Sequence, residues 1–121
     1  MTFGDWLSET LALQRGSFGT DPPTLEGVER AEYVRWNVLA AVDELTEFLN
    51  EVQWKPWAKA QGAIFDRSAA VEELVDVMHF IANLLCTLGV DGDELSARYL
   101  EKMGVNARRQ EDGYAHRKDE A

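Results

Sequence analysis

Two short stretches decide the fold: Asp43-Glu44-Leu45-Thr46-Glu47-Phe48-Leu49 and Glu72-Glu73-Leu74-Val75-Asp76-Val77-Met78. Each sets a pair of acids three residues apart inside an apolar repeat of period near 3.6. Each therefore reads as part of an amphipathic helix. With Leu45 and Leu74 taken as centres of buried stripes, Glu44 and Glu73 fall about 100° to one side. Glu47 and Asp76 fall about 160° to the same side. The two segments form a weak internal repeat, and side-by-side packing of their helices would bring four carboxylates to one seam.

Outward from these stretches the same period continues. A first long helix is expected from Leu25 to Val52, burying Val34, Val38, Val42, Leu45, Leu49 and Val52. A second is expected from Ser68 to Leu88, burying Val71, Leu74, Met78, Ile81, Leu85 and Leu88, with Gly89 as its C-terminal cap. Between them, residues 53–67 form a connector that Pro56 and Gly62 keep from being helical. Upstream, residues 3–15 read as a short helix with Phe3, Trp6, Leu7, Leu11 and Leu13 inward, ended by Gly16, Gly19 and Pro22-Pro23. Downstream, Asp91 with Glu94 opens a helix from Asp93 to Arg109 that turns Leu95, Tyr99 and Met103 inward. Residues 113–121 are polar and are expected to form a flexible tail. With no strand alternation, the expected fold is all-α: a single domain over 1–121, a four- to five-helix bundle around two long central helices.

The chain has 121 residues, 22 acidic and 12 basic side chains, a net charge of −10 and one cysteine. A length in this range predicts one domain. The charge argues against a nucleic-acid polymer as partner, since phosphates call for a basic face. One cysteine excludes an internal disulfide and a cysteine-based zinc site, and Cys86 reads as a small core residue. No apolar run approaches the length of a membrane span. The N-terminus lacks a basic, then apolar leader pattern. These features predict a soluble, cytoplasmic protein without a membrane partner.

The acids have a specific chemistry if they converge. Four like charges in one place repel unless a cation sits among them, and hard divalent ions with oxygen ligands, Mg²⁺ or Mn²⁺, suit such a set. Glu51 extends the same edge as a further candidate ligand. The plainer alternative is two solvated helix faces. Cations that would hold an anionic substrate follow the acids. Lys55 and Lys59 lie beside Trp54 and Trp57, and Lys102, Asn106 and Arg109 share one face of the last helix. The tryptophans suit either packing or stacking on a base. His79 reads as a structural hydrogen-bonder, and Asn83 as either a core amide or a group reaching into the pocket.

Glu-x-x-Glu followed, after 25 residues, by Glu-x-x-Asp resembles the signature of the all-α nucleoside triphosphate pyrophosphohydrolases, the superfamily of MazG-type enzymes, dCTP pyrophosphatases and dimeric dUTPases. Three segments are similar to the dimeric dUTPase branch. They are Trp54-Lys55-Pro56-Trp57-Ala58-Lys59, the run Glu73 to Phe80, and Lys102-Met103-Gly104-Val105-Asn106 through Arg109-Gln110 to Gly113-Tyr114. Leu13-Gln14 echoes a base-reading glutamine. Met103 stands where the branch has asparagine, a second tyrosine beyond Tyr114 is missing, and Gln14 lacks the usual Leu-Asn that follows it. These departures touch base recognition and leave the acids intact.

The resemblance implies that Glu44, Glu47, Glu73 and Asp76 bind two or three Mg²⁺ ions, with Mn²⁺ as a substitute. It assigns catalytic roles to Glu47, which would orient or deprotonate the attacking water, and to Glu44. It gives Lys55, Lys102, Asn106, Arg109 and Tyr114 to phosphates, and Gln14, Trp54, Trp57 and Asn83 to base and sugar. The implied reaction is dUTP + H₂O → dUMP + diphosphate, in a homodimer or homotetramer. The same chemistry on dCTP or on a broad range of nucleotides is the sister reading. A non-catalytic helical oligomerisation or regulatory module is the reading from another class, and it predicts loss of a motif carboxylate.

Overall fold

The computed structural model describes residues 1–113, so Tyr114 and the expected flexible tail lie outside the described residues, except for Gly113. Four helices follow one another: α1 (Phe3–Gly16), α2 (Gly27–Asn50), α3 (Arg67–Thr87) and α4 (Gly92–Asp112), with a single 3-10 turn at Pro22–Thr24. The described residues contain no strand, only an isolated bridge between Val52 and Ile64. The bundle is therefore all-α, as the period predicts.

Local chemistry sets the helix ends. Thr2 Oγ1 accepts from the Asp5 backbone N–H while Asp5 Oδ2 accepts from that of Thr2, a reciprocal cap that opens α1. Asp66 accepts from the Ala69 N–H at the start of α3, and Asp91 from the Glu94 N–H at the start of α4. Gly89, at φ +69°, turns the chain out of α3 in the left-handed region that favours glycine.

α2 and α3 form the main pair and run antiparallel; α1 packs across α3 and α4, and the Pro22–Thr24 turn rests on α3. The core is small: Leu7, Ala82 and Cys86, with Trp6, Leu11, Leu85 and Leu95 packed around it. α1 and α4 touch backbone to backbone where they cross. A Cβ added to Gly92 would stand 2.4 Å from the Gly4 Cα.

The long helices are rotated from the expected phase. Val38, Val42, Leu45 and Leu49 on α2, and Val71, Leu74, Met78 and Ile81 on α3, are exposed rather than buried, as is Leu88 just beyond α3. Asn37 is buried instead, and half-buried Tyr33, Glu44 and Phe48 share its side of α2. The α2 seam is thus turned by about 100° from the apolar stripe. Leu13, Tyr99 and Met103, expected inward, are also exposed, although Tyr99 meets Phe3 edge-on. The physical reason is that the most apolar stripes are not used to pack this chain on itself. They make a surface, and the seam side carries Tyr33, Asn37, Glu44 and Phe48 on α2, with Ala70, Val77 and Asn83 buried on α3.

Candidate metal centre and adjoining cavity

The α2–α3 seam brings the two acid pairs together. Carboxylate oxygens of Glu44, Glu73 and Asp76 lie within 4.8 Å of one another, and a second group joins Glu44 and Glu47 to Asp43. Asp43 is not among the acids the sequence singles out as ligands; its signal is Glu47, four residues on at the next turn of the helix. Glu51 lies at the end of α2 and belongs to neither group.

The carboxylates perturb each other. Hydrogen bonding to Glu73 and then its charge push the Glu47 carboxyl above the ordinary carboxylate range. Glu73 is raised in turn, first by hydrogen bonding to Glu44 and then by desolvation. Glu44 Oε2 is sealed from solvent and has no hydrogen-bond partner among the described residues. An orphaned carboxylate oxygen among crowded acids is an energetic defect for a bare protein and suits a cation ligand. An all-oxygen set of this kind fits a hard divalent ion such as Mg²⁺.

Next to the acids lies a cavity of about 490 Å³ between α1 and α3. Its wall includes Asp76, His79, Phe80 and Asn83 from α3, and Trp6, Leu13 and Gln14 from α1, with Phe18 beyond α1. Asp76 thus belongs both to the carboxylate group and to the cavity. Gln14 and Asn83, the amides picked from the sequence, line this one space. A larger cavity, about 710 Å³, opens at the N-terminal ends of α1 and α4 beside Cys86 and holds none of the four motif acids.

A buried polar network backs the amides. Asn83 Nδ2 donates to Asn37 Oδ1 at 2.8 Å, Asn37 Nδ2 donates to the Tyr33 carbonyl at 2.8 Å, and Tyr33 Oη donates to Gln14 Oε1 at 2.9 Å. Burial pushes the Tyr33 phenol up to about 12, so it stays a donor at every physiological pH. Sequence reasoning missed Tyr33 and Asn37. Asn37 lies two helical turns before Glu44 on the same face, which was the available signal.

The connector closes on itself at the acid end of the seam. Phe65 N donates to the Glu51 carbonyl and Gln53 N to the Ala63 carbonyl. Its aromatics stand out: Trp54 and Trp57 are exposed, and Lys55 Nζ lies 5.9 Å from the centre of the Trp57 ring. Lys59 is exposed in the same loop. Lys102, Asn106 and Arg109 are exposed on α4, which packs chiefly on α1, and no ion pair joins them to the acids among the described residues. Within one chain, the structure therefore gathers the acids and both amides and leaves the cations of α4 apart from them.

A family model described as dUTPase matches residues 23–91, which include α2, the connector and α3. No curated protein and no solved structure matches the chain.

Proposed function

The chain belongs to the dUTPase family, and on that premise we propose that it is a Mg²⁺-dependent nucleotide pyrophosphohydrolase converting dUTP and water to dUMP and diphosphate. The observation that carries this reading is the double membership of Asp76, in the carboxylate group and in the cavity wall. A ligand whose base enters the cavity would leave its phosphates at the acids, since Asn83 and Asp76 are separated by two helical turns, about 10 Å.

Glu44, Glu47, Glu73 and Asp76 would hold the metal, with Asp43 at the edge. Bound Mg²⁺ supplies the positive charge that neutralises the triphosphate and acidifies the attacking water. Glu47, exposed at the edge of the carboxylate group, is the one we assign to orient that water and take its proton. Phe18 and Phe80 offer apolar contact to the base, with Gln14 and Asn83 as its polar partners. Lys55, Lys102, Asn106, Arg109 and Tyr114 remain the candidates for phosphates, and Trp54 and Trp57 for stacking.

We further read the chain as a homo-oligomer. Trp36, Leu39, Val42 and Leu45 on α2 and Leu74, Val75, Met78 and Ile81 on α3 are each at least 40% exposed. So much apolar surface on two central helices fits a second copy of the same chain.

The test is diphosphate release from dUTP, dCTP, dTTP, dATP and dGTP, with Mg²⁺ and with EDTA. Metal-dependent release from dUTP supports the reading. Release from dCTP but not dUTP keeps the chemistry and changes the substrate. Release from none, at micromolar protein, removes the enzyme reading.

A further inference from the structure

Asn37 is 7% exposed, Asn83 9% and Gln14 8%. An amide side chain at such a position has two orientations, and only its partners decide between oxygen and nitrogen. Here the first partner leaves no choice. The Tyr33 carbonyl can only accept, so the group 2.8 Å from it on Asn37 is the nitrogen. Asn37 therefore turns its oxygen to Asn83, and Asn83 must answer with its nitrogen. Asn83 Oδ1 is left over. It has no partner among the described residues, it is not sealed from solvent, and Asn83 lines the cavity. Gln14 is the mirror case. Its oxygen accepts from Tyr33 Oη, so its nitrogen is the unused group on the same cavity wall.

We propose that Asn37 is a positioning residue: it locks Asn83 so that the cavity meets an acceptor oxygen there, and so selects a base that presents a ring N–H beside a carbonyl. This rests on the reading above that the cavity takes a nucleobase. Uracil matches the display twice, because its ring N3–H is flanked by a carbonyl on each side, one carbonyl facing the Gln14 nitrogen. Cytosine lacks that ring N–H, and its only donor on this edge is the exocyclic amine. A freed Asn83 could present either group, its nitrogen donating to the cytosine N3 or its oxygen accepting from the uracil N3–H, and would no longer tell the two bases apart.

The test needs neither metal nor turnover. Deoxyuridine and deoxycytidine are titrated into the ¹⁵N-labelled full chain without metal, and the two dissociation constants are compared for wild type, Asn37→Leu and Asn37→Asp. Wild type should bind deoxyuridine more tightly by about tenfold, the worth of one correctly paired hydrogen bond. Asn37→Leu should bring the ratio to within about twofold of unity. Asn37→Asp should restore it in its protonated form, in which the carboxyl O–H donates to the Tyr33 carbonyl as the Asn37 nitrogen does and the other oxygen accepts from Asn83 Nδ2. A purely structural role would weaken both nucleosides together and would not be rescued by aspartate. Absence of binding, equal binding by wild type, an unchanged ratio in Asn37→Leu, or no rescue in Asn37→Asp overturns the proposal. Failure to hydrolyse any deoxynucleoside triphosphate, with the nucleoside ratio intact, would instead remove the pyrophosphohydrolase reading and leave this one standing.

Discussion

The α2–α3 seam has two ends built on opposite principles. At one, Asn37 and Asn83 face each other and each amide finds a partner. At the other, Glu44, Glu47, Glu73 and Asp76 face each other with no cation among the described residues to separate them. The helices and their register are the same at both ends. What differs is that amides carry donor and acceptor on one side chain and can satisfy their own kind, whereas carboxylates cannot unless they take up protons or a cation. One end thus contributes to holding the fold, and the other stays reactive at the expense of the fold.

The sharpest way to break the comparison is to neutralise the acid end. Glu47→Gln or Asp76→Asn should lower dUTP turnover by at least about 10³-fold, as expected when a catalytic carboxylate is removed. Each should also raise the melting temperature of the metal-free protein, since a source of repulsion goes. Full activity in either variant would sink the site assignment, and a lowered melting temperature would show that the acids stabilise after all.

The apolar face outside the seam gives the next effect. Leu39→Glu, at a position 59% exposed, should convert an oligomer to a monomer at micromolar concentration by light scattering. An oligomer of unchanged size would place the contact elsewhere.

At the amide end the sign reverses. Asn37→Leu leaves the Asn83 nitrogen without its partner and should cost about 1–3 kcal/mol of stability in urea unfolding. A neutral result would mean that the amide pair does not hold the seam.

The smallest effect is the pH dependence of the acid end. Glu47 and Glu73 have raised pKa values in the folded protein, so the folded state holds protons more tightly than the unfolded one. Their stabilising contribution is complete below the ordinary carboxylate value of 4.5 and is lost as pH rises through the raised values. Calorimetry of metal-free protein and of Glu73→Gln from pH 4 to 7 should therefore show wild type losing ground to the variant as pH rises. Mg²⁺ should recover that loss at pH 7. Parallel curves for the two proteins would refute the coupling.

How much of this was legible follows from what each pattern measures. Period and punctuation together locate all four helices, because Gly89, Asp91 and Pro22-Pro23 break the repeat with local chemistry. The acid pairs were legible because spacing and angle survive any rotation of the helix. The phase of the packing was not. A hydrophobic stripe shows which face avoids water and says nothing about whose surface covers it, so Leu45 and Leu74 pointed the burial argument the wrong way. Asn37 and Tyr33 escaped notice because a buried amide network is recognised only once its partners, far apart in sequence, are side by side.

The bare crossing of Gly4 on Gly92 has a mechanical consequence. With no side chain at the contact, the backbones of α1 and α4 meet directly and set where α4 starts, and Arg109 lies roughly 25 Å further along that helix at 1.5 Å per residue. A change of about 10° in the crossing would carry the Arg109 end by about 4 Å, by simple leverage on the helix length. A side chain at Gly92 would wedge that crossing apart, and the α4 cations, at the opposite end of the helix, would be displaced the most.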